Sequence, residues 1–369
     1  MTADRADAIE VFLAASGWGA ATRARLPGDA STRRYERLTM SGRRAMLMDQ
    51  PQTVEPPAAP ANATPEERRA LGYNAIARLA GADCGRFIAA SNYLRKRGLS
   101  TPQIYAADAA QGLAIIEDLG DALYADVVDG GNEAELYRAA ADVLAVLHAD
   151  PAPSVLPPDK PFHAFDETAQ LAEIDLLTEW FMPVALGRKP GADEVAEHRA
   201  LWRAALAESR KHDAVFVHRD YHAQNLLWLP DRADAARVGL IDFQDAVAGS
   251  KAYDLVSLIE DARRGVTPEI AAATTEHYLT AMRNQGTPLI EAEFRAQMAV
   301  MAAQRNAKIV GIFARLYKRD GKPRYLAYLP RVWGYLNKDL EHPALAGLKA
   351  WYDRAIPREA RGTPEGVAA

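Results

Sequence analysis

Apolar residues recur along this chain in two rhythms, strand-like alternation in short runs through its first third and helical spacing afterwards. Residues 6–15 carry Ile9, Phe12 and Leu13 at helical spacing until Gly17 and Gly19 stop the run. Two strand-like runs follow, 35–40 and 44–48, joined by the tight-turn pair Ser41-Gly42. Residues 86–97 put Phe87, Ala90, Tyr93 and Leu94 on one helix face closed by Gly98, and 104–107 and 113–116 are short strands. Together these predict a small sheet with one packed helix. The proline-rich stretch 51–65 reads as an extended connector, and helix-forming composition resumes over 65–80.

From Asn132 onward helices dominate. Residues 133–148 place Leu136, Ala140, Val143, Leu144 and Leu147 on a core-facing stripe, and further helices are predicted over 165–182, 197–210, 253–263, 268–283, 291–317 and 323–339. Within 165–182 the acids Glu173, Asp175 and Glu179 are expected in solvent, and Trp180, Phe181 and, later, Trp333 in the core first, with sugar stacking as their second reading. Residues 150–161, with five prolines, form a loop, and the tail from 357 is expected to be disordered.

One stretch, 215–245, interrupts the helices. Residues 225–229 and 238–241 are short apolar strands, with a polar loop ahead of the first and a carboxylate just after the second. That places Asp220, Asn225 and Asp242 at the ends of a hairpin, where side chains can converge. Phosphoryl transfer asks a protein for a carboxylate beside the accepting hydroxyl and hard oxygen ligands for Mg²⁺. His218-Arg219-Asp220 followed by Asn225 fits H-R-D-x-x-x-x-N, and Ile241-Asp242-Phe243-Gln244 fits a strand-then-D-F-G element with Gln in place of Gly. Earlier, the loop 28–34 (GDASTRR) reads either as backbone N–H groups, hydroxyls and guanidinium facing phosphate oxygens, or as a solvated basic loop. Residues 117–120 (EDLG) read as a hinge whose backbone meets an adenine edge, or as an acidic surface turn.

Composition narrows the classes. At 369 residues, 25% charged and 49% hydrophobic, the chain has the balance of a soluble protein with room for two lobes. A net charge of -5 argues against nucleic acid as the main partner. Cys84 is the only cysteine, which excludes an intramolecular disulfide and a cysteine-based structural zinc site. The first residues do not read as a signal peptide and no run suits a membrane span, so the cytoplasm is the expected location.

The blocks HRDYHAQN, LIDFQDA and AYDLVSL, in that order, resemble the aminoglycoside phosphotransferase/choline kinase superfamily. With the later QRNAKIVGIFARL, the chain is most similar to that superfamily's anomeric kinases of N-acetylmuramate and N-acetylglucosamine, which recycle bacterial cell-wall (peptidoglycan) sugars. The resemblance implies an α+β, two-lobed protein-kinase-like fold, with a small mixed lobe over 1–118 and a larger, mostly helical lobe over 119–356. It implies ATP and Mg²⁺ as cofactors and transfer of the γ-phosphate to a small-molecule sugar, at its C1 hydroxyl. Asp220 would orient and deprotonate that hydroxyl; Asn225 and Asp242 would hold Mg²⁺; Glu117 and Leu119 would offer backbone groups to adenine; Ser31, Thr32 and Arg33 would occupy the phosphate loop.

Two departures qualify the resemblance. Where the family strand ends V-A-I-K, this chain reads Ala45-Met46-Leu47-Met48, and helix 86–97 has no glutamate to partner a lysine. Either Arg33 or Arg34 replaces the lysine, or the donor is not ATP, or the protein is a catalytically silent nucleotide-binding relative. Only ten residues separate Asp242 from Tyr253, leaving no protein-substrate platform. Small hydroxyl compounds are therefore the expected acceptors: an amino sugar first, an aminoglycoside, choline-like amine or homoserine as alternatives.

Several polar residues keep two readings. His222 and Gln224 contact substrate or stabilise their loop; Asp245 touches the sugar or a second ion, or caps a turn. Asp254 is expected to cap the helix it begins. Arg305 and Asn306 bind acetamido or carboxylate groups, or lie on a solvated face. His148 and His163 pack or cap, and the basic run Arg315, Lys318, Arg319, Lys322 and Arg324 is surface or receives an anionic lactyl group.

Overall fold

The Ser41-Gly42 pair turns the chain at positive φ, 50° and 77°, between strands β2 (Arg34–Met40) and β3 (Arg43–Asp49), which pair antiparallel along their whole length. Two consecutive left-handed residues match the twist of a tight hairpin. In the computed structural model, which describes residues 3–27, 33–51, 58–212 and 214–364, that hairpin is the centre of a five-stranded antiparallel sheet. With β1 (Thr22–Arg25), β4 (Ile104–Asp108) and β5 (Leu113–Ile116), the order is β1-β2-β3-β5-β4. β1 was not among the expected strands, because its sequence TRAR has no apolar alternation to reveal it.

Alternation along β3 decides the core. Ala45 and Leu47, with Leu38, Leu113 and Ile115, pack against Ile9, Phe12 and Leu13 of the helix Ala3–Ala15 and against Trp18. Met46 and Met48 point to the opposite face and are buried there. The expected helix 86–97 runs as Cys84–Lys96, starts on an Asp83 side chain that accepts the Gly85 N–H, and is followed by Gly98 at φ 78°. Its Phe87 stacks on Phe243, ring centroids 5.0 Å apart at 17°.

The expected hairpin forms from Leu226–Trp228 and Val238–Leu240, paired antiparallel. Leu240 N–H donates to the Ser100 carbonyl at 2.7 Å and Trp228 N–H to Ala122 at 2.8 Å. Those bonds tie the hairpin to the sheet-bearing part. One compact unit accordingly comprises Met1–Asp126, Ser154–Phe162 and Asn225–Ala246, and the remainder forms a second. The sequence expectation divided the chain once, after residue 118; the contacts return to the first unit twice. In the first of these returns, the expected loop 150–161 carries a short ladder, Val155–Leu156 with Lys160–Pro161. Helix-forming 65–80 is broken at Gly72 (φ 100°) into Pro65–Leu71 and Tyr73–Ile76. Part of the connector, 52–57, lies outside the described residues.

The second unit is built on helices, chief among them Glu133–His148, Ala192–Ser209, Ala252–Ile259, Pro268–Asn284, Glu291–Asp320, Leu329–Asp339 and Ala346–Ala355. The five stripe residues predicted for Glu133–His148 are all buried. The expected helix 165–182 begins at Glu167, on an Asp166 cap, and after Leu176 passes through a π turn, Leu177–Phe181. Gly311 lies so close to the backbone of Leu176 that any side chain would collide there, which lets the Glu291–Asp320 helix cross tightly. Among the described residues no helix is long and apolar enough to cross a membrane.

Three expectations about this unit are overturned. Glu173 and Asp175 are buried, with only Glu179 in solvent; Asp175 takes two bonds from Arg199 at 2.8 and 2.6 Å, so a partner on another helix offsets its burial. The helix expected to reach 263 stops at Ile259, where Asp261 instead accepts the N–H groups of Arg263 and Arg264 in a local turn. The tail is ordered through 364, since buried Arg361 donates to Asn337, Asp353 and the Ile356 carbonyl; 365–369 lie outside the described residues.

Candidate active site

Asp220 lies in the loop between the strand Val215–Val217 and the short 3-10 turn Ala223–Asn225. The preceding residue, Arg219, has φ 81°, a left-handed conformation that costs a residue with a side chain about 1–2 kcal/mol. Buried carboxylates hold the loop in it. Asp254 accepts the His218 N–H at 2.6 Å and the Arg219 N–H at 2.9 Å, and Asp261 accepts the Ala223 N–H at 3.2 Å. Backbone on both sides of the Asp220 carboxylate is thus fixed from the Ala252–Ile259 helix and the turn after it. Asp254 therefore does not cap its own helix, as expected from the sequence, but clamps the loop that carries Asp220. Burial pushes its carboxyl up to about 7, against the pull of the two N–H groups.

The Arg219 side chain is held as firmly. It pairs with buried Glu173 and lies 5.0 Å over the ring of Phe165. Glu173 also pairs with Lys308 at 3.0 Å and accepts from Gln304 at 3.0 Å. Burial alone would raise the Glu173 carboxyl; Lys308 and Arg219 outweigh it and bring it to about 2, so the group is ionised at neutral pH. Lys308 in turn stands within electrostatic reach of Asp220, whose charge favours its ammonium form.

In the first unit the end of the hairpin joins the other two motif residues. Ile241 N–H donates to the Asn225 carbonyl at 3.1 Å, which sets Asn225 beside the residue that follows Ile241, Asp242. Asp242 adopts φ 65°, and its side chain is 39% exposed. Arg33 donates to Asp242 Oδ1 at 2.7 Å and to Gln244 Oε1 at 2.6 Å, and Gln244 donates to the same Oδ1 at 3.2 Å. Among the described residues Oδ2 has no partner.

A carboxylate oxygen and a carboxamide oxygen are hard donors that suit Mg²⁺, which is commonly held by one or two protein ligands plus phosphate. Among the described residues no group of three or more His, Cys, Asp or Glu offers an all-protein cage. Met48 is fully buried opposite Tyr35 in the β2–β3 register, and Tyr35 bonds to Arg33. The arginine thus reaches the metal-binding candidate from the sheet face on which Met48 stands. Burial works against the Arg33 charge, but Tyr35, Asp242 and Asp245 outweigh it. Ser31 and Thr32 lie outside the described residues, and Arg34 begins β2.

At the hinge, Glu117 N–H is taken by the Gln103 carbonyl at 2.8 Å, and its carboxylate by Arg232 at 2.6 Å. Asp118 is buried between Arg37 (2.8 Å) and Arg44 (3.3 Å) and accepts the Gly120 N–H at 3.0 Å. The acidic residues of this segment are therefore internal anchors rather than a solvated turn. The Leu119 side chain packs near Gly239 of the hairpin.

Of the remaining candidates, Asp245 accepts the Ala80 N–H at 2.6 Å, the capping alternative. Gln224 is exposed and His222 buried, 3.4 Å from Arg263. Arg305 and Asn306 are buried, not on a solvated face. Arg305 donates to the Glu260 carbonyl at 3.1 Å, and Asn306 to Glu260 and Asp339 at 2.8 and 2.9 Å. Both amide hydrogens of Asn306 are committed, so it ties three elements together rather than offering donors to a ligand. Sequence reasoning missed Glu173, Asp261, Arg263 and Lys308. The available signal was a polar row, Gln304, Arg305 and Lys308, at helical spacing, which with Asn306 interrupts an otherwise apolar stretch of the helix.

The model of the Phosphotransferase enzyme family matches residues 22–289. A Caulobacter vibrioides protein named N-acetylmuramate/N-acetylglucosamine kinase is 46% identical over 365 residues, covering 98% of this chain and 99% of its own. A Pseudomonas aeruginosa protein of the same name is 32% identical over 346 residues, 92% of this chain and 90% of its own. Among solved structures, a choline/ethanolamine kinase family protein from Mesorhizobium loti superposes with a TM-score of 0.57 at 15% identity, covering 94% of this chain and 98% of that one, a likeness of fold.

Proposed function

The chain belongs to the phosphotransferase enzyme family, and from that premise we propose that it is a sugar kinase, transferring the γ-phosphate of ATP to a hydroxyl of N-acetylmuramate and N-acetylglucosamine. The observation that carries the acceptor is the 46% identity to a kinase of those two sugars over 98% of the chain. The two sugars differ at C3, where muramate bears a lactyl ether, so the hydroxyl phosphorylated in both is one they share. C1 is such a hydroxyl, in keeping with the resemblance to anomeric kinases.

Asp220 accepts the proton of the attacking hydroxyl, a contribution of about 10²–10⁴ in rate. The oxygens of Asn225 and Asp242 hold Mg²⁺, which when bound neutralises charge on the phosphates. Arg33 leaves Asp242 for the phosphates and replaces the missing lysine. The Glu117 carbonyl and the Leu119 N–H read the adenine edge.

A coupled ADP-release assay with ATP and Mg²⁺ tests the reading over N-acetylmuramate, N-acetylglucosamine, choline and kanamycin. Release is expected with the two sugars, and none with the methyl glycoside of N-acetylglucosamine, whose C1 oxygen is blocked. Release with choline or kanamycin and with neither sugar would overturn it.

A further inference from the structure

Two guanidinium groups beside the loop of Asp220 make no ion pair among the described residues, although Asp254 lies within electrostatic reach of Arg305. Arg263, partly exposed, makes one side-chain contact, to His222 Nε2 at 3.4 Å. Arg305, only 5% exposed, bonds through its side chain to one backbone carbonyl, that of Glu260 at 3.1 Å. Other guanidiniums of this unit do pair with carboxylates: Arg219 with Glu173, Arg199 with Asp175, Arg264 with Glu133. A guanidinium with no contacting carboxylate keeps its planar donor fork available to an anionic ligand.

The two arginines also act on one group. His222 lies two residues after Asp220 and feels both. Burial pushes its imidazole well below the usual value; Asp261 and Asp220 pull it up and the two guanidiniums push it down, and burial prevails, so at neutral pH it is uncharged and neutralises neither arginine. Asp261 fixes this corner from below, accepting the Ala223 N–H with one oxygen and the N–H groups of Arg263 and Arg264 with the other. The Arg263 side chain is thereby tied to the same turn that positions the loop carrying Asp220.

We propose that Arg263, backed by Arg305, is the residue that recognises a carboxylate on the acceptor, and that it thereby favours N-acetylmuramate over N-acetylglucosamine. The inference rests on the acceptor class proposed above. With C1 at Asp220, the lactyl ether on C3 lies two ring bonds away and extends its carboxylate outward from the reacting end. An arginine fork is suited to that planar anion, and N-acetylglucosamine has a hydroxyl in its place. Phosphate on the donor is a competing anion, and the test separates it from the acceptor.

Steady-state kinetics of the full chain and of Arg263→Ala and Arg263→Lys, with each sugar and with ATP varied, provide the test. For Arg263→Ala, kcat/KM for N-acetylmuramate relative to N-acetylglucosamine is expected to fall on the order of tenfold or more, through KM, with KM for ATP little moved. Arg263→Lys, which keeps the charge but not the fork, should recover part of the ratio. Equal losses for both sugars, or a loss confined to KM for ATP, would overturn the inference. Failure of the unmodified chain to phosphorylate either sugar would instead reject the functional reading. Melting temperatures of the variants exclude misfolding as the cause, and Arg305→Lys, a smaller change at the buried position, should shift the ratio in the same direction.

Discussion

The carboxylate of Asp254 accepts the backbone N–H of Arg219 at 2.9 Å, in the one residue of the 218–225 loop held at positive φ. Its second oxygen takes the His218 N–H at 2.6 Å. The ionised group satisfies both donors; the protonated acid spends one oxygen as a donor and loses that geometry. With its carboxyl raised to about 7, activity should fall as pH drops through that value. Asp254→Asn faces one N–H with an NH₂, and kcat is expected to fall on the order of 10–100-fold with the acid limb of the pH–kcat profile flattened. A limb near 7 that persists in the variant would refute the assignment.

The same carboxyl has a signed effect on stability. Its folded value, about 7, lies above the ~3.9 of an unfolded aspartate, so between those values the folded state holds the extra proton. Asp254 therefore stabilises less as pH rises from about 4 to 7. Urea unfolding of the unmodified protein and of Asp254→Asn at pH 5 and 7.5 isolates this contribution. The advantage of the aspartate should shrink by a few kcal/mol at most, on the order of 1.4 per pH unit; an advantage that grows with pH would contradict it.

Glu173 has the opposite sign. Held near 2, below the ~4.3 of an unfolded glutamate, it contributes stability that is present above the unfolded value and lost as pH falls toward 2. Glu173→Gln leaves Arg219 and Lys308 buried without their shared carboxylate and should cost about 3–5 kcal/mol in denaturant unfolding at pH 7. Adding Lys308→Met should recover part of that loss, and a further drop would show that the lysine has another partner.

Asp220→Asn keeps size and hydrogen bonding while removing the base. Its kcat should fall about 10²–10⁴-fold with KM for sugar and ATP within a few-fold. Undiminished ADP release would end the proposed role.

Arg33→Ala removes the cation proposed to stand in for the absent lysine and is expected to raise KM for ATP on the order of tenfold. Arg34→Ala, changing a residue at the start of β2, should do less. Unchanged nucleotide kinetics in both variants would mean that the phosphate grip lies elsewhere.

Much of this was legible in advance for a local reason. A two-residue turn, a strand of alternating faces, a helix stripe and the spacing from Asp220 to Asn225 depend on neighbours a few residues away. The Ser41-Gly42 hairpin, the stripe on Glu133–His148 and the hairpin ending at Asp242 therefore came from the sequence nearly intact. Periodicity failed where a charge lay on a stripe and its partner lay far off. Glu173 was assigned to solvent because nothing within its own helix neutralises it; Arg219, 46 residues away, does.

What the sequence by itself determined is the order of the motif residues proposed to react, Asp220, Asn225 and Asp242, and the elements that carry them. Tertiary structure alone decided which charges are paired: Asp254 turned from helix cap to loop clamp, Arg33 brought to Asp242, Arg263 and Arg305 left without an ion pair among the described residues. Burying a charge is tolerable only when another group is brought to it, and such groups here come from elements tens to hundreds of residues apart. That pairing is a property of packing, which no local pattern records.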